Sequence, residues 1–199
     1  MPSPPIRIRL FSYGEGERRT WENAAEKDHR LRMELETRGI GEVHVLLDAT
    51  VFNDPAAVAR GLNEHTGRNP YIIHALVHSA AFPHWIRGAK QKILACSNVN
   101  PLNIVVSCRS GKHRSVAAGI VLRHVLMMEG HILHARIEPP IDLLCATWGR
   151  HCCHGVCPEC LSMPDFREEA LIYAHHQWES SQLVRSAPSA EVPPEVAQR

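Results

Sequence analysis

Apolar and polar residues alternate at the start of the chain. Ile6, Ile8 and Leu10 are separated by Arg7 and Arg9, a period of two that predicts a strand with one buried face. Thr20 to Arg38 is charged and helical in composition, and Gly39 and Gly41 end it. Val43 to Leu47 predicts a second strand leading to Asp48. Asn53 and Asp54, ahead of Pro55, mark a helix start with Gly61 as its stop, and His65 to Asn69 reads as a polar loop. Residues 70–94 predict a long helical region interrupted near Pro83. Ile104 to Val106 predicts a short buried strand, and Ser115 then opens an apolar helical run, Val116 to Met128, stopped by Gly130. His131 to Ile137 supplies a fourth strand. Pro139 and Pro140 break the pattern, and Ser162 to Asp165 starts a last helix running to about Trp178.

Four strands alternating with helices predict an α/β fold: a three-layer arrangement of a small, mainly parallel sheet with helices on both faces, plus a Cys/His-rich insert and a C-terminal helix. The expected organisation is an α/β domain over residues 6–138, a Cys/His-rich segment with the terminal helix over 139–179, and a disordered tail over 180–199, rich in Ser, Pro, Ala and Glu. In parallel sheets, ligands bind beyond the carboxyl ends of the strands. Tyr13 with Gly14, Asp48, and Cys108 each stand at such an end, so three loops are expected to converge on one crevice.

The 199 residues are 44% hydrophobic and 22% charged, enough apolar material for a full core. The net charge of +1 makes any preference for anions a local property. The start of the chain lacks the charged lead and apolar core of a secretory signal, and no run approaches the roughly 20 apolar residues that span a bilayer. With seven cysteines, an odd count, the expectation is a protein of a reducing compartment, the cytoplasm or an organelle, with thiols free or on metal and no membrane partner.

The chemistry concentrates in two places. Between the third strand and its helix stand Cys108, Arg109, Ser110, Gly111, Lys112, His113, Arg114 and Ser115. A strand that turns through a Gly-containing loop into a helix aims backbone N–H groups and the positive end of the helix dipole at one point. Arg114 as a fork, Lys112 as a point charge and His113 as a donor would surround a phosphate there, with the N–H groups from Ser110 to Ser115 as the cradle. Cys108 and Arg114 also stand in the C-x5-R spacing of cysteine phosphatases. That reading makes Cys108 the nucleophile and needs a general acid, for which Asp48 and Asp54 are candidates.

The second concentration is His151, Cys152, Cys153, His154, Cys157 and Cys160, six potential ligands within ten residues, with Cys157 and Cys160 in chelating C-x-x-C spacing. A structural zinc held by members of the set Cys152, Cys153, His154, Cys157 and Cys160 is expected, with Cys145 a more distant option. His74 and His78, four apart on a helix, could chelate but read as structural, and the dispersed Trp21, Trp85, Trp148 and Trp178 read as core or lid residues. Arg18, Arg19, Arg30 and Arg32 read as a solvated helix face.

The stretch Cys108-x-x-Gly111-Lys112-His113-Arg114-Ser115-Val116 resembles the C-T-G-G-K-H-R-S-V segment of the RapZ C-terminal domain family, a domain of bacterial RNase adapter proteins. Phe11 to Gly14 is similar to that domain's opening F-x-Y-G. Asp48, Asn53 and Pro55 fall near its D-V-R…N-P segment, and Thr66 with Gly67 is similar to its L-T-G-x-D loop. The resemblance covers roughly residues 6–138. It implies a binding domain that recognises a phosphorylated small molecule, such as an amino-sugar phosphate, through Tyr13, Gly14, Asp48 and the turn residues 109–115, and that works as an adapter for an RNA or protein partner. The chain departs from the family at Ala49-Thr50, where the pattern has an arginine, and at Ser110, where it has glycine. It carries no Walker motif, so ATP binding is not implied.

Overall fold

The computed structural model describes residues 5–16, 23–58, 60–129, 135–143, 148 and 152–181. Arg18, Arg19, Trp21, Gly130, His131, Cys145, His151 and residues 182–199 lie outside the described residues, together with what the sequence suggests for them.

Strand β1 (Ile6–Gly14) is followed by α1 (Ala24–Leu35), whose start is capped by Asn23, its side chain accepting from the Glu26 N–H. Then come β2 (Val45–Asp48), the short α2 (Pro55–Val58), α3 (Pro70–Val77), α4 (Phe82–Ala95), β3 (Leu102–Cys108) and α5 (Arg114–Met128). Strands β4 (Ala135–Ile137) and β5 (Ile141–Asp142) precede the one-turn α6 (Pro158–Leu161) and the long α7 (Pro164–Ser180). The sheet order is β2-β3-β1-β4, with β5 also beside β1, and every pairing is parallel. The parallel α/β architecture is therefore as expected, with one strand more than the pattern suggested. Pro139 and Pro140 have no N–H to give a ladder, so the edge splits into β4 along the first half of β1 and β5 along the second.

The period of two sorts the sheet's side chains into two cores. Ile8, Leu10, Val45, Leu47, Ile104 and Val106 point to one face and pack with residues of α3, α4, α5 and α7. Phe11, Tyr13, Leu46 and Val105 point to the other and pack with Leu31 and Leu35 of α1. Helices thus cover both faces. All seven residues of β3 are buried, as a central strand of a doubly covered sheet requires. Truncating a core residue such as Leu10 to Ala would cost about 2–5 kcal/mol.

The interruption of the 70–94 region falls between Val77 and Phe82, ahead of Pro83 rather than at it, because proline fits the first turn of α4, where its missing N–H costs no bond. The helix expected from Pro55 to Gly61 is one turn of α-helix followed by a 3-10 stretch, Arg60–Glu64. That stretch delivers the chain to His65. No helix of the described residues is long and apolar enough to cross a membrane.

Candidate functional site

The register of the sheet brings the strand ends together: Gly14 lies beside Cys108, and Asp48 beside Ser107. The turn after β3 is braced against the end of β1. Glu15 donates its N–H to the Cys108 carbonyl at 2.9 Å, and Gly16 donates to the Arg109 carbonyl at 2.9 Å. Gly14 and Gly111 touch through bare backbone. A Cβ on Gly14 would stand 2.6 Å from the Ser110 carbonyl carbon, and Gly111 also adopts φ +70°, so both positions need glycine.

Within the turn the Cys108 thiol is buried. It accepts the Gly111 N–H at 3.2 Å and donates to the Ser115 hydroxyl at 3.2 Å. Arg114 starts α5, and its Nη1 donates to the carbonyls of Phe52 (2.9 Å) and Thr50 (3.4 Å), which fixes the guanidinium between the turn and the loop after β2. Lys112 reaches the Asn63 carbonyl, and its own carbonyl accepts the Gly67 N–H at 2.8 Å. His113 is buried, with Nδ1 3.2 Å from Asp54 and Nε2 3.1 Å from the His65 carbonyl. The N-cap residue of α5, His113, does not cap the helix with its side chain, which turns to Asp54 and the His65 carbonyl instead. Arg109 and Ser110 are exposed.

One of the anticipated residues faces elsewhere and another is already engaged. Tyr13 is turned to the α1 side of the sheet, where its hydroxyl bonds Glu34 and the Arg38 guanidinium lies over its ring; strand alternation sets that direction. Asp48 does stand at the crevice, but Thr50 donates to it through both N–H and hydroxyl, and Lys27 bridges it to Glu15 at 3.0 Å on each side. Burial works against its charge, yet the bonds from Thr50 and Lys27 outweigh burial and hold the carboxyl below its ordinary value. Lys27 sits above its ordinary value, since its bonds to Asp48 and Glu15 outweigh its own burial.

The second centre forms where the segment after β5 docks on the loop ahead of α3. Cys153 donates its N–H to the Glu64 carbonyl at 2.8 Å, which sets Cys153 beside His65. His65 Nδ1, Cys153 Sγ, Cys157 Sγ and Cys160 Sγ all lie within 4.8 Å of one another, close enough to hold a metal ion. His65 Nδ1 is 3.4 Å from Cys153 Sγ, 3.8 Å from Cys157 Sγ and 3.4 Å from Cys160 Sγ, and Cys153 Sγ is 3.5 Å from Cys160 Sγ. Ordinary zinc bond lengths in a tetrahedron require S···S of roughly 3.8 Å and S···N of roughly 3.5 Å, so the four atoms fit such an ion.

The surroundings suit thiolates. Gly155 N–H donates to Cys153 Sγ (3.2 Å), Asn69 Nδ2 to Cys160 Sγ (3.3 Å), and Cys160 N–H to Cys157 Sγ (3.4 Å), with Cys157 capping α6. The far nitrogen of His65 lies 3.1 Å from Glu159, the carboxylate partner that orients a ligating imidazole. Burial opposes charge on these sulfurs. On Cys153 the Gly155 N–H and bonds from His65 and Cys157 overcome burial and bring the thiol down to about 6. On Cys160 burial and the neighbouring Cys153 and Cys157 push it up to about 12. One thiolate forms readily and the next demands a cation.

The ligand set therefore differs from the one read in sequence. Cys153, Cys157 and Cys160 are brought together. Cys152 is buried beside the His65 carbonyl, 3.6 Å away, with its sulfur turned out of the cluster. His154 packs on Trp148, ring centroids 5.4 Å apart. Successive residues in an extended segment alternate direction, so Cys153 points at His65 while Cys152 and His154 point elsewhere. His65 lies 88 residues before Cys153, beyond any local spacing rule; its signal in the sequence is a lone histidine in a polar loop and a thiol trio lacking a fourth ligand. A smaller group, His74, His78 and Glu169, also converges at the surface, the two imidazoles stacked 4.1 Å apart.

Among known proteins, no family model and no curated protein matches the chain.

Proposed function

We propose that the chain is a zinc-stabilised binding module whose β3–α5 turn takes the phosphate of a small phosphorylated molecule, as its resemblance to the RapZ C-terminal domain implies. The observation that carries this reading is the link between the two centres. His65 offers its imidazole to the metal cluster and its backbone carbonyl to His113 of the turn, so an ion on the cluster would hold the anion cradle in place. Three thiolates and an imidazole select zinc over the harder divalent cations. The N–H groups at the start of α5, the anchored Arg114 and the adjacent Lys112 would supply donors for a dianion.

Calorimetry with inorganic phosphate and glucosamine 6-phosphate tests it. Saturable binding is expected, weakened about tenfold or more in Arg114→Gln. Heat that is absent with both ligands, or unchanged in the variant, would defeat the reading.

A second reading, a cysteine-dependent phosphatase, is favoured by one observation: the Cys108 sulfur accepts the Gly111 N–H and sits beside Ser115 at the mouth of the helix. It would attack phosphorus while an acid protonates the leaving oxygen. The bonds from Thr50 and Lys27 hold Asp48 below its ordinary value, which makes it a poor donor for that step and leaves Asp54, 3.2 Å from His113, as the acid the enzyme would need. Turnover of an aryl phosphate that disappears in Cys108→Ser would establish the enzyme instead.

A further inference from the structure

A cleft opens between α5, α7 and the segment that carries the thiol cluster. Its volume is about 550 Å³, within the usual range of small-molecule sites. Arg68, Arg123 and Arg167 line it together with His124 and His154. The carboxylate among its lining residues is Asp142, and that group is already engaged by Ser12 at 2.7 Å and by Arg68 at 2.6 Å. Among the described residues neither Arg123 nor Arg167 has a carboxylate at ion-pair distance, and Arg123 Nε is buried without a hydrogen-bond partner. An orphaned guanidinium nitrogen beside two further arginines costs stability unless something negative meets it. The positive field reaches His124, whose imidazole is held below its ordinary value by burial and by the nearby His175 and Arg167.

The cleft is not purely polar. Ile120, Pro140 and Leu171 form apolar wall, and a second cavity of about 370 Å³, sharing Arg68, His124 and Arg167, continues past Leu161 and Ile172. The larger part alone carries Arg123 and Asp142, while the adjoining part adds the apolar Leu161 and Ile172 and one carboxylate, Glu168. We infer that this cleft is a second ligand site, taking a small organic phosphate: its phosphate among Arg68, Arg123 and Arg167, its organic body toward Leu161 and Ile172. None of the turn residues 109–115 lines it, so the inference stands apart from the reading of the β3–α5 turn. The wall at His154, Gly155 and Val156 belongs to the thiol-bearing segment, and Gly155 at φ +84° lies so near Arg68 that a Cβ there would come within 2.7 Å of the Arg68 Cβ. The cluster of Cys153, Cys157 and Cys160 therefore shapes one side of the site.

Trp148, its ring tilted against His154 at 5.4 Å, is a built-in reporter. Full-length protein is titrated with adenosine monophosphate and with inorganic phosphate while tryptophan fluorescence is followed, with Trp148→Phe as the control for the signal. Saturable quenching is expected, tighter for adenosine monophosphate than for phosphate. Arg123→Gln and Arg167→Gln should each weaken it about tenfold or more, and the double variant should abolish it. Arg167 is exposed on α7, so its replacement leaves the fold intact even if that of Arg123 does not, and melting curves check both. In an Arg114→Gln background, where the turn is disabled, the Arg123-dependent quenching should persist; the failure of one site is then distinguishable from the failure of the other. Quenching that is absent with both probes, or that keeps its affinity in both arginine variants, overturns the inference. Arginine-dependent retention of single-stranded RNA with neither small probe bound also overturns it and makes the partner a macromolecule.

Discussion

Gly14→Ala probes the contact that holds the β3–α5 turn to the sheet. The added methyl would meet the Ser110 carbonyl carbon at 2.6 Å and the Gly111 nitrogen and Ser110 oxygen at 2.7 Å, all backbone atoms that cannot rotate away. Ordinary contact begins near 3.4 Å, so the turn must retreat by roughly 0.7 Å. That movement strains the Gly111 N–H bond to Cys108 and the Glu15 N–H bond to the Cys108 carbonyl. Overpacking of this kind costs about 1–3 kcal/mol, and each weakened hydrogen bond adds up to about 1 kcal/mol. A loss of roughly 2–4 kcal/mol would lower Tm by about 5–15 °C in a chain of this size. The control is Gly88→Ala in α4, where a Cβ meets nothing within 4 Å and helix propensity favours alanine by about 0.5–1 kcal/mol. Thermal melts followed by far-UV circular dichroism should move in opposite directions for the two variants, and phosphate binding should fall only in Gly14→Ala. A Gly14→Ala protein that melts with Gly88→Ala and binds phosphate normally would refute the brace between β1 and the turn.

The remaining predictions concern the metal cluster and the charges at the strand ends. One equivalent of metal is expected by elemental analysis, and His65→Ala should abolish it, whereas Glu159→Gln should keep the ion but weaken its affinity about 10- to 100-fold in a chelator competition; full metal content in His65→Ala would show that the fourth ligand lies elsewhere. Asp48, held below its ordinary 3.8, contributes stability that is present above that value and fades as pH falls through the folded one. Lys27, raised above 10.5, contributes stability that is present below that value and is lost as pH rises through the folded one. Urea melts of Asp48→Asn should therefore be less stable at neutral pH and less pH-dependent on both limbs than the parent; parallel curves would show that the Lys27–Asp48 pair does not couple to folding.

The strands and their faces are legible in the sequence because alternation is a local signal: parity alone separates Ile8 and Leu10 from Phe11 and Tyr13. The convergence of Gly14, Asp48 and Cys108 is legible too, since it follows from parallel connectivity. The direction of Tyr13 is set by the same alternation, and its place at a strand end, which suggests the crevice, is the weaker guide. His65 is hidden for a different reason. Its role depends on Glu64 pairing with Cys153 across the fold, a long-range contact that leaves no mark on spacing along the chain. Cys152 and His154 resemble ligands in sequence because density of cysteine and histidine is all that spacing conveys; backbone direction decides which side chains point inward. The cleft at Arg123 and Arg167 joins α5 to α7, and nothing in either helix alone announces the other.

His65 stands 88 to 95 residues from the thiols it would share an ion with. An ion bound there would close a ring over nearly half of the polypeptide, as a covalent crosslink does, and rings of that size restrict the unfolded chain by several kcal/mol. A synthetic peptide spanning residues 152–161 would offer four sulfurs and the His154 imidazole but not His65, so an ion it captured would close no such ring. Stripping the ion from the whole chain would free the Cys153 and Cys160 sulfurs, 3.5 Å apart, to oxidise to one another and leave His65 unclaimed. Purification under reducing conditions with zinc supplied would keep the two halves fastened.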